Sequence, residues 1–273
     1  MLTIKCPSKL NLNLRVIKKR SDGMHDIESR FQLINLYDEI RIKRNKSKNN
    51  SIKTTLGNSL NDKNNIVFSA IEALQNYTNI DIFCEIFIKK NIPVSGGMGG
   101  GSSNAAAALV GINNLYSLNL SPLELMKIGK KLGADVPFFL FGKNAIAQGI
   151  GDNLSIKPSI NKKFLVLCPD VKTSTKKMFV KWDKINQNES RNNINPDENS
   201  FLTLFLDENK AIKKVFNEIN KITPLKLSGT GSTLFYAYNE LNEIEKTLKK
   251  IPTKWRHFFC EPLQCSPLLT YIK

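Results

Sequence analysis

Between Pro93 and Asn104 the chain reads Pro-Val-Ser-Gly-Gly-Met-Gly-Gly-Gly-Ser-Ser-Asn, and five of the six residues from Gly96 to Gly101 lack a Cβ. A loop so poor in side chains is costly to order as a mere connector. It can, however, bring several backbone N–H groups close to one anion. An alternating, strand-like segment (Ile82–Ile88) precedes it and an alanine-rich helix, expected from about Asn104 to Tyr116, follows it. The helix N-terminus then adds unpaired donors and partial positive charge. No Gly-Lys-[Ser/Thr] follows, so this is not a Walker A loop, and the spacing is not that of a dinucleotide fingerprint. Phosphate binding by Val94, Ser95, Gly96, Gly97, Met98, Gly99, Gly100, Gly101, Ser102, Ser103 and Asn104 is the expectation.

The rest of the chain supplies the frame for such a loop. Leu10–Val16 and Glu39–Lys43 alternate with the period of half-buried strands, and Asn65–Tyr77 carries apolar residues at helical spacing. Ser121-Pro122-Leu123-Glu124 reads as a capped helix start, for a helix that ends near Gly133. Farther on, Phe164–Cys168, Leu225–Leu227 and Thr233–Tyr238 read as strands, and Thr173–Trp182, Phe201–Leu206, Ala211–Ile222 and Glu240–Lys249 as helices. The Asn-rich stretch Ile185–Ser200 reads as a loop. This mix predicts an α+β fold with a boundary near Pro158, giving domains at 1–157 and 158–273. With 273 residues, 41% of them hydrophobic, the chain can bury a large core.

Composition narrows the setting. No apolar run reaches the roughly 20 residues needed to span a bilayer. The start, Met1–Cys6, enters a strand-like pattern without a signal or transit peptide, so a cytoplasmic location is expected. Five scattered cysteines without a CxxC spacing argue for reduced core thiols over disulfides or zinc. The formal net charge of +16 fits compositional drift toward Lys, an anionic small-molecule substrate or a nucleic-acid surface.

Two segments carry reactive side chains. Ser8–Leu12 places Lys9, Asn11 and, beyond it, Asn13 on one face of a strand whose other face is apolar. Gly133-Ala134-Asp135-Val136-Pro137 sets one carboxylate at the junction of a helix and an apolar run. Such a carboxylate can accept a proton from an attacking hydroxyl, and a nearby Lys can stabilise negative charge. Taken singly, Asp135 also reads as a turn or cap residue and Lys9 as a solvated strand edge; spacing alone does not bring them together.

Together these segments resemble the GHMP kinases. That family pairs an N-terminal polar strand motif with a glycine-rich loop and a C-terminal glycine turn, here Ser8–Leu12, Pro93–Ala105 and Ser228–Ser232. Arg20–His25, Ala147–Gly151 and the ending Ser266-Pro267-Leu268 extend the likeness over nearly the whole chain. They point to the branch that phosphorylates the 2-hydroxyl of a methylerythritol carrying cytidine diphosphate. The resemblance implies a two-domain fold with the active site in the cleft between domains. It implies ATP as co-substrate with Mg²⁺, Lys9 and Asp135 as the catalytic pair, and Val94–Asn104 on the ATP phosphates. It further implies Asn65 near the adenine, His25 on the cytosine edge, and Asn11, Met24, Thr175, Phe179, Gly229 and Thr230 around the substrate.

Met24 stands where family members usually have Tyr, and Ser69 where a basic residue is common. Two other functions fit parts of the pattern. One is a GHMP kinase of the homoserine or mevalonate type, against which Asp22-Gly23-Met24-His25 argues, since those substrates carry no base to read. The other is a basic RNA-binding protein, against which the phosphate loop and the lack of aromatic-rich strands argue. The expected partners are ATP and a small cytidine-diphosphate substrate, with neither nucleic acid nor membrane.

Overall fold

A computed structural model describes residues 1–57, 65–186 and 198–272. Most of the Ile185–Ser200 stretch expected to be a loop lies outside the described residues. Among those residues, no helix is long and apolar enough to cross a membrane.

The first sheet is built around β3 (His25–Arg44), a strand of 20 residues. Its buried face carries Phe31, Leu33, Ile40 and Ile42. Along its length β3 pairs antiparallel with β1 (Leu2–Asn11), β2 (Arg15–Lys19), β5 (Cys84–Lys89) and β6 (Ala145–Gly149). The edges are β4 (Ser51–Thr54), parallel to β5, and β7 (Asn153–Ile156), antiparallel to β6. One face is covered by α1 (Ile66–Thr78), α2 (Gly100–Tyr116), α3 (Pro122–Leu132) and α4 (Val136–Phe141). α2 is buried all round from Ser103 to Ile112, as befits a helix with no solvent face, and its alanines let it lie close to the sheet. The α3 start is as read from the sequence: Ser121 and Glu124 form a capping box with Pro122 behind it.

The second sheet runs β11-β8-β10-β9, all antiparallel: β8 (Lys163–Cys168), β9 (Lys226–Leu227), β10 (Leu234–Tyr238) and β11 (Arg256–Cys260). Its helices are α5 (Thr175–Asn186), α6 (Leu202–Glu208), α7 (Lys210–Asn220) and α8 (Glu245–Leu248). The run Phe164-Leu165-Val166-Leu167-Cys168 is wholly buried because both of its faces are covered. Leu165 and Leu167 meet the helical core with Phe201, Phe205 and Phe216. Phe164 and Val166 pack with Leu10, Ile34, Ile92 and Met98 from the first sheet's side, which makes this junction an apolar core in its own right. After β11 the chain returns to the first core through Leu268.

Departures from the sequence expectation include three elements. α2 begins at Gly100, not Asn104, with Ser103 N donating to Gly99 O at 2.9 Å. Poor glycine propensity conceals this first turn, but its N–H groups have no helical partner to lose in any case. The alternation Leu10–Val16 is not one strand. β1 stops at Asn11 and Leu14 N bonds to Glu198 O at 3.1 Å, because Leu14 and Val16 insert into the helical core of the second sheet. The helix expected at Glu240–Lys249 is divided into a 3₁₀ turn at Leu241–Glu243 and the short α8.

Candidate active site

A cavity of about 1050 Å³ is lined by residues of the first sheet and its helices and, from the other side, by α5 and the β9–β10 turn. Four lysines (Lys9, Lys19, Lys90, Lys176) against two aspartates (Asp135, Asp183) line it, a balance that suits an anionic ligand.

The glycine loop forms one wall, with Val94–Ser102 and Asn104 on the cavity. It is held from both sides. Met98, its one large side chain, is only 1% exposed because it plugs into the junction core, so it offers the cavity backbone and no side chain. The Met98 carbonyl accepts from Lys9 N at 3.1 Å, tying the loop to β1. From the second sheet, Ser228 Oγ donates to Gly97 O at 3.1 Å and Thr233 N to Gly96 O at 3.1 Å. Gly97 has φ +78°, and a Cβ there would run into the Ser228 carbonyl, so both conformation and close approach require glycine. The loop thus delivers α2 with its first turn facing the cavity. Ser103 Oγ and Asn104 Oδ1 are buried there without a hydrogen-bond partner in the protein, and Asn104 lines the cavity.

Lys9 and Asp135 meet at this helix end. Lys9 Nζ lies 3.4 Å from Asp135 Oδ2, with the lysine side chain 4% exposed and the aspartate 30%. Lys9 is therefore no solvated strand edge. Its ammonium also sits 4.8 Å from the centre of the Phe31 ring and bonds to Asn11 Oδ1. Asp135 occupies the N-cap position of α4 but makes no capping hydrogen bond, which leaves its carboxylate directed to Lys9 and the cavity. Asn11 is itself fixed: Nδ2 donates to Ser29 Oγ at 2.8 Å, and Ser29 Oγ donates to Asn13 O at 2.5 Å. The Asn11 amide thus bonds to both Lys9 and Ser29 while lining the cavity.

At the adenine-side candidate, Asn65 lines the cavity and caps α1, accepting from Val67 N at 3.0 Å. Lys90 lies beside the loop, paired with the fully buried Asp38, whose Oδ1 accepts from Asn91 N and Ile92 N at 2.7 and 2.9 Å. Of the remaining candidates, Gly229 and Thr230 face the cavity from the second sheet, and Thr230 Oγ1 lies 3.1 Å from Thr175 Oγ1 at the start of α5. Nearby, Thr173 Oγ1 donates to Gly231 O at 2.6 Å and is 3.2 Å from Ser95 O.

The far end holds Met24, His25 and Phe179. Met24 is 46% exposed, at the end of the Ser21–Gly23 turn. His25 is buried, with Phe179 against its ring at 4.5 Å between centroids and Trp182 edge-on at 6.0 Å. His25 Nε2 is 2.6 Å from Asp183 Oδ1, and Lys19 Nζ is 2.7 Å from Asp183 Oδ2. Desolvation alone would raise the Asp183 carboxyl; the hydrogen bonds from Lys19 and His25 outweigh it and hold its pKa below the ordinary value.

The structure gathers all the candidates around one cavity except Ser103, which is buried just behind its wall. Sequence reasoning missed Ser29, Asp183 and Ser228. Ser228 sits in the quoted glycine turn, and Asp183 follows Phe179 at helical spacing, so both had a signal; Ser29 had none. Among the described residues there is no group of three or more His, Cys, Asp and Glu side chains that could hold a metal.

The chain matches known proteins over most of its length. The model of the GHMP kinases N terminal domain matches residues 65–143, which include the glycine loop and Asp135. A 4-diphosphocytidyl-2-C-methyl-D-erythritol kinase of Ruthia magnifica is 35% identical over 272 residues, covering 96% of this chain and 95% of the relative. One from Psychromonas ingrahamii is 34% identical, covering 96% and 93%. A crystal structure of 4-(cytidine 5'-diphospho)-2C-methyl-D-erythritol kinase superimposes with a TM-score of 0.73 at 22% identity, over 95% of this chain and 99% of that one.

Proposed function

The chain belongs to the 4-diphosphocytidyl-2-C-methyl-D-erythritol kinases, a branch of the GHMP kinases, and from that membership we propose that it moves the γ-phosphoryl group of ATP to the 2-hydroxyl of that cytidine-linked polyol. The observation that carries the reading is the meeting of Lys9 and Asp135 at 3.4 Å, beside the N-terminal turn of α2 and inside the cavity that also holds His25. Phosphoryl transfer asks mainly for positioning and charge neutralisation, which this arrangement can supply.

In this reading the loop Val94–Ser102 and the first turn of α2 take the ATP phosphates through backbone N–H groups, with Asn65 toward the adenine. Asp135 accepts the proton of the 2-hydroxyl as its oxygen bonds to the γ-phosphorus and the bond to the bridging oxygen of ADP breaks. Lys9, 3.4 Å from Asp135, stabilises the charge on the transferring group. Phe31 and Asn11 hold its ammonium in place. The residues also fit a divalent cation. The Ser102 hydroxyl and the unpartnered Asn104 Oδ1 are hard oxygen donors, and ATP phosphates can complete the shell. When bound, Mg²⁺ neutralises charge on the β- and γ-phosphates.

His25, Met24 and Phe179 take the cytosine, with Thr175, Gly229 and Thr230 toward the diphosphate and polyol. The same reading divides the chain near Pro158, between the end of β7 at Ile156 and the start of β8 at Lys163. The test is the product of turnover with ATP and the cytidine-linked polyol. Phosphorus–proton NMR should place the new phosphate on the C2 oxygen; a product phosphorylated elsewhere, or none, contradicts the reading.

A further inference from the structure

The His25 ring is gripped from one helix. Phe179, Trp182 and Asp183 stand at i, i+3 and i+4 of α5, and all three touch the imidazole: one on its face, one at its edge, one on Nε2. From the other side Lys19, directly opposite His25 in the β2–β3 register, bonds the second oxygen of Asp183. An ionised carboxylate only accepts hydrogen bonds, so the nitrogen 2.6 Å from it carries the proton. In neutral imidazole the other nitrogen, Nδ1, is then an acceptor. Lys19 balances the charge of Asp183, so the ring faces an ion pair and not a bare negative charge.

We propose that Asp183 is a positioning residue for base selection: by fixing the Nε2–H tautomer of His25 it presents an acceptor, Nδ1, that suits the amino group of cytosine and repels the carbonyl of uracil. This rests on the reading of the cavity end as a cytosine site. Cytosine offers an N4 donor where uracil offers an O4 acceptor, so one tautomer pairs with one base and leaves the other mispaired.

Asp183→Asn turns this into a nearly isosteric switch. Lys19 has donors only, so it draws the amide oxygen to itself and turns the amide NH₂ toward His25 Nε2. The imidazole must then accept at Nε2 and carry its proton on Nδ1, where it can donate to uracil O4. The chain has two histidines, which makes ¹⁵N-histidine NMR of the whole protein assignable with a His257→Gln control. The expected spectrum has Nε2 of His25 protonated in the wild type and Nδ1 protonated in Asp183→Asn.

Steady-state kinetics with the cytidine and uridine forms of the substrate provide the second measurement. The wild type should favour the cytidine form. In Asp183→Asn the preference should shrink by about 10- to 100-fold, partly through an absolute rise in kcat/KM for the uridine form. A merely structural role cannot produce that rise. If the wild type discriminates but both forms lose equally in Asp183→Asn, or the tautomer does not change, the role of Asp183 is overturned while the cytosine site stands. A wild type that treats the two forms alike overturns the cytosine site and, with it, this proposal.

Discussion

The residues with the most chemistry are those whose hydrogen bonds serve other side chains. Asn11 spends its amide on Lys9 and Ser29, and Lys9 in turn faces Asp135. Asp135→Asn keeps shape and removes the proton acceptor, so kcat should fall by roughly 10²–10⁴-fold. ATP affinity measured by calorimetry should hardly change, and a near-normal kcat would remove Asp135 from the chemistry. Met24 tests the opposite end. A thioether against a base is worth about 0.3–1.5 kcal/mol and an aromatic pair about 0.5–1.5 kcal/mol. Met24→Tyr should therefore lower KM for the cytidine substrate by no more than about tenfold, and Met24→Ala should raise it. Neither should move kcat, because the base is bound alike in ground and transition states; an unchanged KM in Met24→Ala would place the residue off the base. Residue types and motif context were enough to single out Lys9 and Asp135. Their meeting was not legible, since it depends on β1 lying beside the α3–α4 junction, a long-range contact that local pattern does not encode. Asn11 shows the complementary limit: the sequence marks it as polar and inward, and only packing reveals that it faces a lysine.

Among the elements, the glycine loop was the most legible and its anchoring the least. Strand, loop and helix follow from composition and period, but the start of α2 at Gly100 was hidden by residues that disfavour helix. The clamps on the loop come from two separate segments, Lys9 in β1 and the turn Ser228–Thr233 between β9 and β10. Met98 reads as one more loop residue and proves to be the loop's apolar anchor. Position within the loop also decides which substitution is informative. A Cβ at Gly100 would sit 2.9 Å from Ile92, so a larger residue there tests packing as much as ligand binding. At Gly101 the nearest atom to a Cβ is Ile66 Cγ2 at 3.8 Å, and the position is exposed. Gly101→Val should fold with an unchanged melting temperature to within a few degrees and lose ATP affinity, since its side chain fills the approach to the helix N-terminus. Unchanged ATP affinity in the folded variant would take the phosphates away from this turn.

For the molecule as a whole, two sheets share an apolar junction, and the cavity that holds the candidate site lies beside it. The apolar run Phe164–Cys168 reads as a strand, and its burial on both faces emerges only from the packing; the break after Asn11 could not be read, because Leu14 and Val16 leave one core to enter the other. Thiol chemistry probes this packing. Cys6, Cys84, Cys168 and Cys260 are buried, while Cys265 is exposed, contrary to the expectation of core thiols throughout. Desolvation pushes Cys84 and Cys168 up to about 11 and Cys260 up to about 12, and it raises Cys6 as well. At about pH 8 these four stay protonated and unreactive, so a thiol-disulfide reagent should titrate one cysteine in the native protein and five after denaturation. Rapid native reaction of two or more would contradict the packing.

If this cavity holds ATP and a cytidine-linked polyol as proposed, the protein's substrate preference follows from it. ADP release can be followed with 4-diphosphocytidyl-2-C-methyl-D-erythritol, homoserine and mevalonate offered separately at equal concentration. Turnover is expected with the first, falling by roughly 10²–10⁴-fold in Asp135→Asn, and at most background with the other two. Turnover of homoserine or mevalonate at a rate matching or exceeding that of the cytidine substrate would contradict the proposed function.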